Sequence, residues 1–216
     1  MIFDTHGLPK DTGASDYADS ARLAGILGAF GHPAMTAEKI AQYVIGDQGV
    51  RYPYVDPTGN LSSNNPKNFT RDQEVCLAAG LNKLRRPDLA MKLYRAAQNR
   101  WYRGQNTEAD IPGSTKKFPD GADLFLFDTM SHLKNCADQG PTVLGRINLI
   151  IDICYKAWVK PMTEPNQIMC MCLIAGPMYV KLLRKLNKKL DAAIREYWSG
   201  WRGEPELAEF LIEKFK

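Results

Sequence analysis

"TRDQEVCLAAGLNKLRRPDLAMKLYRAAQNRW", residues 70–101, decides the fold class. Thr70 and Gln73 have the spacing of a capping box, in which each side chain satisfies a backbone N–H of the other's turn. Leu77, Leu81 and Leu84 continue an apolar stripe at helical spacing. Pro87 suits the first position of a second helix, where its missing N–H costs nothing. Leu89, Leu93, Ala97 and Trp101 then repeat. The pattern predicts a helical hairpin over about 70–85 and 87–101.

Other segments extend the same grammar. Residues 1–16 are rich in Gly, Pro and Asp and read as an irregular N-terminal arm. Leu23, Ile26, Leu27 and Phe30 predict a helix over about 17–30, opened by Ser15 or Asp16 and ended by Gly31 and Pro33. Thr36 can cap a second helix through Tyr43 or Ile45. Val143, Ile147, Ile150, Ile151, Cys154 and Trp158 share one helical face, with Asn148, Asp152 and Lys156 opposite. Residues 168–175 are apolar all round, which marks a central helix. Pro177 kinks that helix or starts the next. Leu182, Leu183, Leu186, Leu190, Ile194 and Tyr197 carry one stripe to about Ser199, and Pro205 opens a last helix with Leu207, Phe210, Leu211 and Phe215.

No stretch alternates with period two. The expectation is an all-α chain of seven to nine helices, in hairpins packed around one core. A partial α/α toroid is one arrangement of such hairpins. The whole chain, 1–216, reads as a single helical domain. Two long loops interrupt it, at 46–68 and 104–120. The first holds three prolines, three glycines and four asparagines. Ordered loops of that length are uncommon and often functional.

Composition narrows the function classes. The chain is 44% hydrophobic and 24% charged, with a net charge of +4, too weak to argue for nucleic acid. The five cysteines, Cys76, Cys136, Cys154, Cys170 and Cys172, form no C-x-x-C pair. They read as free thiols made in a reducing compartment. The longest apolar run, 168–180, has thirteen residues, against about 20 for a membrane span. MIFDTHGLPKDTG has no basic segment followed by an apolar run, so no signal peptide is expected. Gly-rich phosphate loops and the G-x-S-x-G elbow are absent, which disfavours nucleotide-dependent and Ser-hydrolase chemistry. No cofactor is expected.

Five constellations remain. Asp16, Asp19 and Arg22 lie at the first helix start. They read as caps with an Asp19–Arg22 pair at i,i+3, or as carboxylates doing acid–base work on a sugar. Arg71 and Asp72 open the hairpin. Asp72 suits the positive end of the helix dipole and Arg71 opposes it, so Arg71 is expected to reach Asp16 or Asp19. Asp128, His132 and Cys136 are spaced i, i+4, i+8, with no H-E-x-x-H or C-x-x-C beside them, and no metal is expected. The aromatic residues Tyr52, Tyr54, Trp101, Tyr102, Trp198 and Trp201 read as packing, as interface anchors or as a sugar platform. A basic stripe, Lys181, Arg184, Lys185, Lys188 and Lys189, lines one side of a late helix.

"DTGASDYADSARLAGIL", "NPKNFTRDQEVCLAAGL" and "FPDGADLFLFDTMSHL" together resemble uncharacterised proteins of tailed bacteriophages, over roughly residues 4–135. The resemblance implies a non-enzymatic virion protein, a structural or adaptor component of the tail or fibre region. It would be made in a host cytoplasm and would bind other virion proteins or copies of itself. It transfers no catalytic residue. The pattern is also similar to helical-toroid glycosidases and polysaccharide lyases, which place acids at the ends of inner helices. That similarity implies a carbohydrate-active alternative using Asp16, Asp19, Arg71, Asp72 and Asp123, with a glycan as ligand.

Overall fold

The computed structural model describes residues 1–10, 17–57, 69–99, 133–134, 136–137, 143–158, 162 and 165–216. Ser15, Asp16, Trp101, Tyr102, Asp123, Asp128, His132 and the 104–120 loop lie outside the described residues, as do the side chains of Arg71 and Trp201. The described chain is all-α in its core. It has helices α1 (Ser20–Ala29), α2 (Ala37–Ala41), α3 (Arg71–Lys83), α4 (Pro87–Asn99), α5 (Val143–Trp158), α6 (Asn166–Ala175), α7 (Pro177–Leu186), α8 (Leu190–Arg195) and α9 (Pro205–Lys214). A π-helical segment, Glu196–Trp201, continues α8.

Two short antiparallel ribbons, which alternation could not reveal at two residues per strand, complete the described structure. β1 (Ile2–Phe3) pairs with β2 (Pro9–Lys10), and β3 (Val44–Ile45) with β4 (Gln48–Gly49). The first gives part of the arm regular structure. The second ends α2 sooner than expected, at Ala41, because the chain turns through Gly46 at φ 66°.

The hairpin of α3 and α4 forms as its sequence dictates. Gln73 Oε1 accepts the Thr70 N–H at 3.2 Å, closing the capping box. Leu77, Leu81, Leu89, Leu93 and Ala97 are buried. α3 stops in a Schellman turn: Arg86 N–H donates to Leu81 O at 2.7 Å and Arg85 N–H to Asn82 O at 3.0 Å. Arg85 takes the left-handed conformation, φ 63°, that glycine usually supplies there.

α1 begins at Ser20, later than the expected 17, because residues 17–19 form a turn. Every residue of α1 is buried. The helix lies against α3 in the same direction, and glycines set the distance. A Cβ on Gly25 would sit 2.3 Å from Cys76 C and 2.5 Å from Leu77 N. A Cβ on Gly80 would sit 2.6 Å from Gly25 O. α6 packs on both helices with Ile168, Met169, Cys170, Met171 and Cys172 buried, the central helix its composition implied.

Two expectations are corrected. The long stripe of residues 182–197 is broken, since α7 ends at Leu186 and Asn187 leaves helical geometry (φ −100°, ψ 73°). The Arg184 guanidinium bridges the break, donating to both Asp191 oxygens at 2.9 and 3.1 Å. The second correction concerns α5. It buries Gly145, Leu149 and Ile153 against α6 and α7, and leaves Val143, Ile147, Ile150, Ile151 and Trp158 exposed. α5 has apolar residues on two sides, and the narrower side packs.

The tight contact makes a discriminating prediction. Gly25→Ala gains helix propensity of about 1 kcal/mol but meets backbone, and a net loss of about 2 kcal/mol or more is expected in denaturant melts. Gly28→Ala meets the flexible ends of Leu84 and Ile40 with the Gly80 Cα at 3.2 Å, and is expected near neutral. For the hairpin, Thr70→Ala is expected to cost about 1 kcal/mol and Leu81→Ala, at a fully buried site, about 2–5 kcal/mol. Equal small losses at Thr70 and Leu81 would contradict the packing described.

Candidate functional site

The parallel course of α1 and α3 brings their N-termini together. Ala18, in the turn before α1, offers one carbonyl to two donors: Gln73 Nε2 at 2.7 Å and Arg51 Nη1 at 3.3 Å. Arg51 also accepts the Ala21 N–H on its own carbonyl at 2.9 Å. Three chain segments thus meet at one end of the bundle, and a charge network occupies the junction.

Arg22 is its centre. The side chain is 5% exposed. Its guanidinium contacts the Asp19 carboxylate one turn earlier, the i,i+3 pair the sequence anticipates, and reaches Asp72 Oδ2 on α3 at 3.2 Å. Arg202, just past the π-helical segment, donates to the same Asp19 oxygen at 2.6 Å. The Tyr197 ring lies beside both cations, its centroid 5.8 Å from Arg22 Cζ and 5.6 Å from Arg202 Cζ. Thr70 Oγ1 donates to Asp72 Oδ1 at 2.5 Å. Burial pushes the Asp72 carboxyl up, but Arg22, the Thr70 hydroxyl and Arg51 outweigh it and hold it below the usual carboxylate range. The Asp72 side chain keeps 30% exposure, so solvent softens each of these effects.

Beneath this network lie buried thiols. Cys76 is hydrogen-bonded to Cys170 and buried, and both effects raise it well above its usual value. Burial likewise raises Cys136 and Cys172. All five cysteines are free, and the raised, buried thiols of Cys76, Cys136 and Cys172 are poor nucleophiles. Among the described residues, no group of three or more His, Cys, Asp or Glu is placed to hold a metal.

Among the described members of the expected aromatic set, Tyr52 and Tyr54 meet edge to face at 5.8 Å between centroids and Trp198 is buried in the core. Tyr52 is buried and donates to the Asp4 carboxylate, with Tyr17 stacked on it at 4.0 Å between centroids. Burial and Asp4 push its phenol far up. Tyr54 is exposed, stacks on His6 at 3.8 Å and donates to Gln42 Oε1 at 2.7 Å. Nearby, Ser20 Oγ donates to Pro9 O at 2.6 Å, so the Tyr43 phenol, 2.6 Å away, donates to Ser20. These bonds fasten the arm to α1. Trp198 lies in the core, where its Nε1–H donates to Asn166 Oδ1 at 2.9 Å. Of the basic stripe, Lys181, Lys185, Lys188 and Lys189 are exposed, while Arg184 is held by Asp191.

Of the acids singled out from sequence, Asp19 and Asp72 meet through Arg22. Asp16, Asp123 and the Arg71 side chain fall outside the described residues. Sequence reasoning missed Arg202, Tyr197 and Arg51 as members of the cluster. No local spacing connects residue 202 to residue 19; only the fold does. Comparison of the chain with family models, curated proteins and solved structures gives no match.

Arg22→Met should be the most costly change here. It strips Asp72 of its nearest cation and leaves Asp19 with Arg202 alone, a loss of about 3 kcal/mol. Asp72→Asn should cost about 1 kcal/mol. The Asp72 carboxyl is depressed in the folded state, so its stabilisation is present above the unfolded carboxyl's titration near pH 3.9. It is lost as pH falls through the lower folded value. Urea melts from pH 7 to pH 2 should therefore show a shallower acid limb for Asp72→Asn than for the unsubstituted protein. Parallel limbs would contradict the ionised pair.

Proposed function

We propose that this chain is a non-enzymatic helical assembly protein that binds neighbouring subunits, the structural or adaptor role that the resemblance to tailed-bacteriophage virion proteins implies. One observation carries the reading: α5 presents Val143, Ile147, Ile150, Ile151 and Trp158 to solvent along one side. Contiguous exposed apolar surface of this kind marks interaction sites, and tryptophan is prominent among interface anchors. The charge network supports the same reading. Arg22 and Arg202 occupy the Asp19 carboxylate, and Arg22 and Thr70 occupy Asp72. Carboxylates held in this way brace helix ends and have little room for a substrate.

A carbohydrate-active role is the second reading. It draws on the meeting of Asp19 and Asp72 at one end of two parallel helices, with Tyr197 beside them. It requires a glycan to reach carboxylates that now face arginine.

Calorimetric titration with a panel of neutral and acidic oligosaccharides separates the two. No heat of binding is expected, together with strong fluorescence of an apolar dye such as anilinonaphthalene sulfonate that falls in Ile151→Asp. Sugar binding abolished by Asp72→Asn, with the melt otherwise preserved, would overturn the assembly reading.

A further inference from the structure

The apolar side of α5 does not end in open solvent. Its last member, Trp158, 72% exposed, stands at the edge of a groove of about 620 Å3 between the end of α5 and the corner joining α7 to α8. Leu186, Leu190 and Ala193 give the groove an apolar lining. Among the described residues that line it, Lys156, Lys188 and Lys189 are basic and Glu196 is acidic. Lys181 and Lys185 are exposed on the adjoining α7. An apolar stripe and a cationic groove are therefore continuous along one surface.

We infer that this surface docks an amphipathic helix with an acidic end, contributed by a partner of different sequence. The inference rests on the assembly reading and specifies the partner's chemistry. From Val143 to Trp158 the stripe rises about 22 Å, four turns of helix. Val143, Ile147 and Ile151 recur every fourth residue, the spacing at which apolar anchors of a docked helix interlock. Carboxylates at the end meeting Lys188 and Lys189 would be paired by charge, which fixes direction and partner choice.

A second copy fits less well. Laid antiparallel, it would bring the start of its own α5 to the lysine groove. That first turn carries no acid, and a helix start is the positive end of its dipole. Laid parallel, it would set lysine groove on lysine groove. Nucleic acid fits less well too, because most of the surface is apolar and offers phosphate nothing.

The test uses the full chain and two fluorescein-labelled 18-residue helical peptides. Both carry leucines along one face; one has glutamates elsewhere, the other lysines. Fluorescence anisotropy should show binding of the glutamate peptide and binding of the lysine peptide weaker by about tenfold or more. Lys188→Glu with Lys189→Glu should reverse that preference. Ile151→Asp, at a position 58% exposed, should remove binding of both without changing the circular dichroism spectrum. Equal binding of both peptides, unmoved by charge reversal, would overturn the acidic partner and leave the apolar interface standing. Self-association that is lost in Ile151→Asp, with neither peptide bound, would assign the surface to a second copy instead. Labelled single-stranded DNA bound through Lys188 and Lys189, and unaffected by Ile151→Asp, would make it a nucleic-acid surface. No binding and no self-association would overturn both this inference and the assembly reading.

Discussion

The structure depends on the contact of Gly25 with the backbone of Cys76 and Leu77. A Cβ at Gly25 has no room, since the carbonyl carbon of Cys76 would lie 2.3 Å from it. Glycine in a helix interior ordinarily costs about 1 kcal/mol relative to alanine. Here it brings two helix backbones closer than side chains permit, and Gly80 answers it from the facing helix. The gain is dense packing of the small residues beside them, among them Ala21, Ala24, Cys76 and Ala79, all buried. α2, α4 and α6 then pack against this pair.

The same approach creates an electrostatic problem and its remedy. Two parallel helices abut at their positive ends, near where the turn of residues 17–19 also passes. Carboxylates belong there, and Asp19 and Asp72 supply them. At close quarters two carboxylates repel, and both are partly desolvated. Arg22 resolves this by contacting both, and Arg202 closes the far side of Asp19 from the C-terminal part of the chain. A buried network of this sort contributes little net stability relative to apolar packing, yet is costly to break. Its consequence is geometric: it ties α1, α3 and the segment after α8 together at one junction.

How much of this is legible in the sequence depends on the range of each interaction. Thr70, Gln73 and Pro87 act within one or two turns, so the hairpin and its cap can be read directly. The Asp19–Arg22 pair is equally local. Arg202 on Asp19, Arg22 on Asp72 and Tyr52 on Asp4 join residues fifty or more positions apart in two cases and nearly so in the third, and no periodicity encodes them. Gly25 reads as a mild defect in a helix, although it determines how closely α1 approaches α3. The break at Asn187 is hidden because leucines on both sides of it keep helical spacing; Arg184 and Asp191 straddle it without a signature of their own.

α5 shows a different limit. Periodicity reveals that a helix has an apolar side, but not what covers that side. Gly145, Leu149 and Ile153 form a narrow buried stripe on the helix that packs against α6 and α7. The broader stripe, richer in β-branched residues, is exposed. Water-exposed apolar area of that extent lowers the stability of the free chain relative to the covered one. A partner that covered it, as proposed, would be linked to folding, because a ligand of the native state alone adds RT ln(1 + L/Kd) to stability, with L its free concentration. Close packing where Gly25 and Gly80 meet and exposed apolar surface on α5 are thus two consequences of one distribution of small and large residues.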